Sequence, residues 1–155
     1  WIDVESVSRV LKRFTAKNIL VVADSCFSGV IFRGLEAVKG TAKNTSTMEN
    51  QGYYATIQNA YDIQSRMAFT SGGVEPVVDA INKFEDHSMF ARAFLDVLRE
   101  NPKKAIKARN LAAKVTDRAV IARNLNKLTQ TPEYGPLKKI YGHEGGDFIF
   151  RKIQN

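Results

Sequence analysis

The sequence contains a single cysteine among its 155 residues, and this scarcity excludes several classes of protein. One cysteine cannot form an internal disulfide, so the chain is not a small secreted scaffold held together by disulfides, and we expect a cytoplasmic location. No apolar run approaches the roughly 20 residues of a membrane-spanning helix, so we expect no membrane partner. The chain opens Trp1-Ile2-Asp3, with neither an initiating methionine nor a signal peptide, and we expect it to be part of a longer protein.

Histidine is also scarce, with only His87 and His143 present. No segment has the ligand spacing of a known calcium loop, so the sequence predicts neither a metal site nor a cofactor. The remaining composition, 44% hydrophobic and 25% charged, is typical of a globular domain. The length suits one domain or a large part of one.

Acidic residues are fewer than basic ones, which gives a net charge of +7. Much of the positive charge falls along a predicted helix: Lys103, Lys104, Lys107, Arg109, Lys114, Arg118 and Arg123. Few aromatic residues lie among these cations, so no platform for stacking bases is evident. We favour a solvated basic face, and a nucleic-acid partner is the weaker alternative.

Hydrophobic periodicity predicts alternating helices and strands. The predicted helices cover residues 3–17, 88–100 (capped by Asp86) and 102–124, and the predicted strands cover residues 19–23, 66–70 and 147–151. A long mobile loop is expected over residues 33–63, and a shorter loop over residues 131–136. The order of elements indicates an α/β fold.

The first predicted strand is a continuous apolar run, which is typical of a strand buried on both faces of a sheet. Such a strand needs neighbours on both sides, so we expect part of the sheet to come from residues upstream of Trp1. Cys26 follows this strand directly, in the segment 24–29, DSCFSG. Ligands bind beyond the carboxyl ends of strands in such sheets. A cysteine there, activated by a nearby base, is a candidate nucleophile, and a backbone N–H at the nucleophile could donate to the oxyanion.

Four motifs in order resemble the caspase-like cysteine peptidases, with most similarity to the metacaspase and bacterial branch. The segment 19–29 resembles the nucleophile strand, with its Asp-x-Cys-x-Ser-Gly pattern. The other motifs are residues 65–77, residues 87–94, and a C-terminal motif made of residues 131–135 and 142–148. The resemblance implies a mostly parallel sheet flanked by helices and incomplete at its N-terminal side. It divides residues 1–155 into the end of the large-subunit region (1–32), an intersubunit loop (33–63) and the small-subunit region (64–155).

The resemblance also implies a Cys–His dyad in which Cys26 is the nucleophile. The family's histidine stands in a His-Gly motif on an earlier strand, and neither His87 nor His143 matches it. We expect capping or surface roles for both. The general base should then lie upstream of this chain, and the isolated chain should be inactive as a peptidase. Some members of the family need calcium, for which this sequence has no motif.

Specificity follows from two acidic residues in the family pattern. Asp24 matches an aspartate that lines an acidic S1 pocket, and Glu75 matches a second acid after the small-subunit strand; Asp79 is a weaker candidate. Such a pocket selects Arg or Lys at P1. The peptide substrate is expected to lie along residues 69–71 as an added strand.

Arg33, Lys39 and Lys43 in the long loop are possible self-cleavage sites of a peptidase with this specificity. A disordered insertion is an equally open interpretation of the loop. For the whole chain, the alternative to an enzyme is a catalytically inactive caspase-like domain that serves as an interaction or regulatory module.

Overall fold

The computed structural model describes residues 4–24, 50–72, 87–126, 131–137 and 142–153, which form a mixed α/β fold. The helices are α1 (Val4–Leu11), α2 (Asn50–Asp62), α3 (Met89–Glu100) and α4 (Ala108–Asn126). The strands are β1 (Asn18–Ala23), β2 (Ser65–Thr70), β3 (Ala105–Lys107), β4 (Glu133–Pro136) and β5 (Ile149–Arg151). The predicted α/β class is confirmed. Within these ranges, no helix is long and apolar enough to cross a bilayer.

The strands form two small sheets. β2 lies between β1 and β4 in the larger sheet, and β3 pairs with β5 in the smaller one. β1 and β2 are parallel, with Asn18 opposite Ser65 and Ala23 opposite Thr70. The β2–β4 and β3–β5 pairs are antiparallel. Among the described strands, parallel pairing therefore does not predominate, contrary to the expected mostly parallel sheet.

β1 and β2 separate two apolar clusters. On one face, Ile19 and Ala68 are buried together with Leu11 of α1. On the other face, Leu20 and Phe69 pack with residues of α3 and α4. Successive side chains of a strand point to opposite faces, so neighbouring residues serve different cores. The result is a layered arrangement with α1 on one side of the sheet and α3 and α4 on the other.

Aromatic side chains from distant segments pack together in the apolar cluster that contains Phe69. The ring of Phe69 lies 4.9 Å from that of Phe90 and 6.0 Å from that of Tyr134, both edge to face. Phe94 of α3 meets Phe150 of β5 at 6.0 Å. Each such pair adds roughly 0.5–1.5 kcal/mol beyond its burial. These contacts tie the second sheet and α3 to the first sheet.

β1 is less buried than its apolar sequence predicts. Ile19 is buried, but Val22 is 43% exposed. β2 pairs with one edge of β1, and no other described strand pairs with the second edge. Side chains of β1 nevertheless pack on both faces of the sheet, Ile19 on one and Leu20 on the other, so both faces are covered as predicted and only the degree of burial is lower. The expectation of further strands from upstream residues stays a prediction.

α1 is shorter than predicted and ends at Leu11 rather than near residue 17. A tighter turn follows it, in which the Phe14 N–H donates to the Leu11 carbonyl oxygen at 3.1 Å. The predicted helix over residues 3–17 includes the apolar residues Val10 and Phe14, yet both are exposed.

α3 follows its predicted pattern. Its buried residues recur every three or four positions: Phe90, Ala93 and Val97. The N-cap is Ser88, whose Oγ accepts the Ala91 N–H at 3.0 Å. Asp86, the predicted cap, lies outside the described residues.

The predicted helix over residues 102–124 is instead a strand followed by a helix. Residues 105–107 form β3, which pairs with β5, and α4 begins only at Ala108. Asn101 is the C-cap of α3 rather than the N-cap of the next helix. Pairing with a distant strand overrides the helical periodicity of this segment.

The loop predicted over residues 33–63 contains α2, so the prediction is wrong for residues 50–62. Two contacts explain why this polar segment is helical. Ile57 is buried, and the Tyr53 hydroxyl donates to the carbonyl oxygen of Ala105 in β3 at 2.9 Å. Because the stabilising partner is far along the chain, the local sequence gives little sign of the helix.

The predicted loop over residues 131–136 contains β4, so this prediction is wrong for residues 133–136. Its sequence, EYGP, carries two residues that commonly mark turns. Only β2 pairs with β4 among the described strands, and proline is tolerated on such an edge.

Candidate active site

The carboxyl ends of β1 and β2 meet at one edge of the larger sheet. The two strands are parallel and Ala23 lies opposite Thr70, so both leave the sheet on the same side. The Ser71 N–H donates to the Ala23 carbonyl oxygen at 3.0 Å, which holds the two exits together. Ligands bind beyond such strand ends in α/β folds, so this edge is the candidate site.

Asp24 is the first residue after β1, and it is exposed at this edge. Its Oδ2 accepts a hydrogen bond from the Ser88 hydroxyl. Ser88 is also the N-cap of α3, so one side chain links the end of β1 to the start of the helix. A helix N-terminus favours nearby negative charge. The carboxylate of Asp24 is therefore fixed in position and open to a cation from solvent.

The end of β2 is buried and offers no free strand edge. Thr70 Oγ1 donates to the Gly72 carbonyl oxygen at 3.2 Å, and Thr70 is fully buried. Phe69 has partners on both sides, Val22 in β1 and Tyr134 in β4. A peptide can add only to an unpaired edge. The prediction that substrate lies along residues 69–71 as an added strand is therefore wrong.

Most of the other predicted site residues lie outside the described parts of the chain. These are the nucleophile Cys26, the second pocket acid Glu75, its weaker alternative Asp79, and the possible cleavage sites Arg33, Lys39 and Lys43.

The two histidines lie near opposite ends of β2. His87 is exposed and immediately precedes Ser88, which contacts Asp24. His143 lies at the start of β2, where its Nδ1 accepts the Arg66 N–H at 3.3 Å. An extended strand rises about 3.3 Å per residue, so Arg66 and Ser71 are roughly 16 Å apart. His143 is therefore too far from Asp24 to exchange a proton with a group beside it.

Its surroundings keep the His143 imidazole neutral. Partial burial lowers its pKa below the usual value, and the nearby Arg109 guanidinium lowers it further, while Asp147 opposes the shift. A neutral ring is what this position requires, because a protonated Nδ1 could not accept the Arg66 N–H.

A second polar cluster is centred on Asp147, whose side chain is almost fully buried. Oδ1 accepts the Tyr134 hydroxyl at 2.6 Å and the Phe148 N–H at 2.9 Å. Oδ2 accepts the Arg109 N–H at 3.2 Å and lies 3.6 Å from its Nε. Both oxygens are occupied, so this carboxylate joins β4 to the first turn of α4 and serves the fold.

The same cluster acts on the ionisation of Tyr134. Burial is the main cause that raises the pKa of its phenol well above the usual range, and the charge of Asp147 adds to the effect. The raised pKa favours the protonated phenol, which is the form that donates to Asp147.

The described ranges contain no group of three or more His, Cys, Asp and Glu side chains that could hold a metal ion.

The contact of Ser88 with Asp24 is a feature of the site that the sequence does not reveal. A serine before an apolar run of helical spacing is a recognisable N-cap. Its hydrogen bond to Asp24 joins residues 64 positions apart, and no local pattern encodes that contact.

Comparison with family models, with curated proteins and with solved structures finds no match to this chain.

Proposed function

We propose that this chain carries the nucleophile of a caspase-like cysteine endopeptidase that cleaves after Arg or Lys. The observation that carries the proposal is the exposed carboxylate of Asp24, held by Ser88 where two parallel strands end. A caspase-like fold, completed by strands upstream of residue 1, would give β1 its second neighbour. The unpaired edge of β1 among the described strands is compatible with that arrangement.

Chain connectivity brings the proposed nucleophile to this edge. Cys26 follows Asp24 by two residues, and two residues span at most about 7 Å. Glu75 follows Gly72 by three residues, which limits their separation to about 11 Å. A thiol and two carboxylates can therefore gather around the ends of β1 and β2.

The chemistry of the proposed reaction needs one group from outside the chain. A histidine upstream takes the proton of the Cys26 thiol, and the thiolate attacks the carbonyl carbon of the scissile bond. The backbone N–H at Cys26 donates to the oxyanion. The amine leaves with the proton from the histidine, and water then hydrolyses the thioester. Asp24 and Glu75 hold the P1 cation, which places that carbonyl over the sulfur.

The test is a peptidase assay on the complete natural protein that contains this chain, with and without calcium. Matched peptides carry Arg, Lys or Asp at P1. We expect turnover of the Arg and Lys peptides and none with Cys26→Ala. Asp24→Asn should lower kcat/KM for these peptides roughly 10- to 100-fold, the value of one charge-assisted hydrogen bond. Asp117→Asn, at an exposed position of α4, is the matched control and should have no effect.

Other outcomes separate the parts of the proposal. Cleavage after Asp would retain the peptidase and refute the acidic pocket of Asp24 and Glu75. No turnover by the folded, complete protein under either calcium condition would refute the peptidase and favour the inactive interaction module.

A further inference from the structure

A cleft with a basic lining lies between α2 and the smaller sheet. Its volume is about 400 Å³, and α2 contributes Tyr54, Ile57 and Gln58 to its wall. Lys104, Ala105, Arg151 and Lys152 form the opposite side. The size falls within the range of small-molecule sites, roughly 300–1,000 Å³.

The cations of this cleft are held together by the fold. The Lys152 N–H donates to the Lys104 carbonyl oxygen at 2.9 Å, and this bond holds the two segments of the chain beside each other. Arg151 stands opposite Ala105 in the same pairing. Three basic residues therefore line the cleft from two segments that lie more than 40 residues apart in sequence, and the ammonium of one of them, Lys152, donates to the Asn101 carbonyl oxygen.

No carboxylate lines the cleft among the described residues. The nearest acidic group along α2 is Asp62, which is bonded to the Gln58 amide at 3.0 and 3.1 Å and paired with Lys17 at 3.9 Å. In the described part of the chain, the ammonium of Lys104 and the guanidinium of Arg151 form no ion pair. Like charges brought together without an acid repel one another, and an anionic ligand would relieve that repulsion.

Aromatic rings accompany these cations. Tyr54 is 39% exposed at the cleft, and its ring is supported edge to face by Tyr53 at 5.5 Å. Lys103 Nζ lies 3.6 Å from the centre of the Tyr53 ring, and Arg151 lies 5.3 Å from that of Tyr61. An exposed, supported ring can stack on a planar group, and the adjacent cations can bind phosphate.

We propose that this cleft binds a nucleotide, with its phosphates on Lys104 and Arg151, beside Lys152, and its base on Tyr54. The same chemistry is presented by a free nucleotide and by one nucleotide unit of a single strand. The site is separate from the proposed peptidase site, since Asp24 and Ser88 do not line the cleft.

The test is calorimetric titration of the full chain at low salt with ATP, inorganic pyrophosphate and a single-stranded RNA octamer. We expect saturable binding of ATP that is weakened at least about tenfold by Lys104→Gln with Arg151→Gln. Tyr54→Leu should weaken ATP binding and leave pyrophosphate binding unchanged, because only ATP carries a base. Lys114→Gln with Arg13→Gln removes two exposed cations outside the cleft, and this charge-matched control should bind as the natural chain does. Circular dichroism establishes that each variant is folded.

Two comparisons decide the outcome. If the octamer binds more tightly than ATP, with a steep salt dependence and the same loss in the variants, the natural ligand is a single strand. If ATP binds more tightly than the octamer, the natural ligand is a free nucleotide. The proposal is overturned if neither probe binds, if the Lys104 and Arg151 substitutions have no more effect than the control, or if Tyr54→Leu weakens both ATP and pyrophosphate equally.

Discussion

Two aspartates, Asp24 and Asp147, show how the surroundings of one residue type decide its use. Asp147 is buried, and hydrogen bonds occupy both of its oxygens. Asp24 is exposed and is bonded to Ser88 through one oxygen. A buried carboxylate with all its partners stabilises the fold, whereas an exposed carboxylate with a free oxygen can bind a cation. In the sequence, Asp24 is selected by its match to the caspase-like pattern, whereas nothing there selects Asp147.

At Tyr134, removal of one hydroxyl tests the buried cluster. Tyr134→Phe retains the ring against Phe69 but leaves Asp147 with one donor fewer. We expect a loss of roughly 1.5–3 kcal/mol in the free energy of unfolding, measured by urea denaturation. Tyr54→Phe, at an exposed ring, is the control and should change it by less than about 0.5 kcal/mol. Equal effects of the two substitutions would contradict the role given to Asp147.

At His143, the lowered pKa predicts a dependence of stability on pH. The unfolded chain binds a proton on this ring near pH 6.5, and the folded chain does so only at lower pH. The contribution of the neutral ring is therefore complete above pH 6.5 and is lost as the pH falls through the lower folded pKa.

Urea denaturation of the natural chain and of His143→Gln between pH 8 and pH 5 measures this contribution. We expect the natural chain to lose more stability on acidification than the variant. His87→Gln, at the exposed histidine, should behave as the natural chain does. Parallel curves for all three proteins would show that His143 does not titrate differently in the folded state.

At the scale of elements, the structure departs from local patterns where a segment depends on a distant partner. β1, β2 and α3 have strong patterns of their own and were predicted nearly to their ends. α2, β3 and β4 depend on contacts with residues far along the chain, such as the hydrogen bond from Tyr53 to Ala105. Short segments of this kind are marginal alone, so their structure is decided by packing.

Gly146 tests how closely the segment before β5 packs against the end of α2. A Cβ there would lie 1.9 Å from the carbonyl oxygen of Ile63, a backbone atom that cannot move aside cheaply. We expect Gly146→Ala to lower the free energy of unfolding by more than about 3 kcal/mol.

The neighbouring Gly145 is the matched control, because its φ of +95° is unfavourable for alanine but its Cβ would meet no atom within 4 Å. Gly145→Ala should cost about 1–2 kcal/mol. A thermal melt compares the two variants, and a smaller loss at Gly146 than at Gly145 would argue against the close contact.

At the scale of the whole molecule, folding places the basic residues of one stretch of sequence in different surroundings. Arg118 is paired with Glu100 between α4 and the end of α3, and Arg109 is paired with Asp147. Lys104 instead joins Arg151 and Lys152 at the cleft beside Tyr54. Few aromatic residues lie near these cations in the sequence. The tyrosine that meets Lys104 at the cleft is Tyr54, which belongs to a helix some 50 residues earlier in the chain.

The position of the proposed catalytic base also concerns the whole molecule. His143 is separated from the strand ends by the length of β2, and the peptidase that we propose would take its histidine from upstream. In the complete protein, we expect His87→Ala and His143→Gln each to retain turnover within about threefold, while mutation of the upstream histidine abolishes it. Loss of turnover in folded His87→Ala would instead identify His87 as the base, since it is next to Ser88 at the candidate site.

The sequence by itself determined the α/β class, the two parallel strands and α3, because apolar runs and helical spacing are properties of neighbouring residues. The position after the first strand pointed to Cys26, and the caspase-like resemblance pointed to Asp24. Only the tertiary structure decided which segments pair with β3 and β4, which serine holds Asp24, and which cations meet Tyr54. These contacts join residues tens of positions apart, and their energy depends on burial and geometry that exist only once the chain has folded.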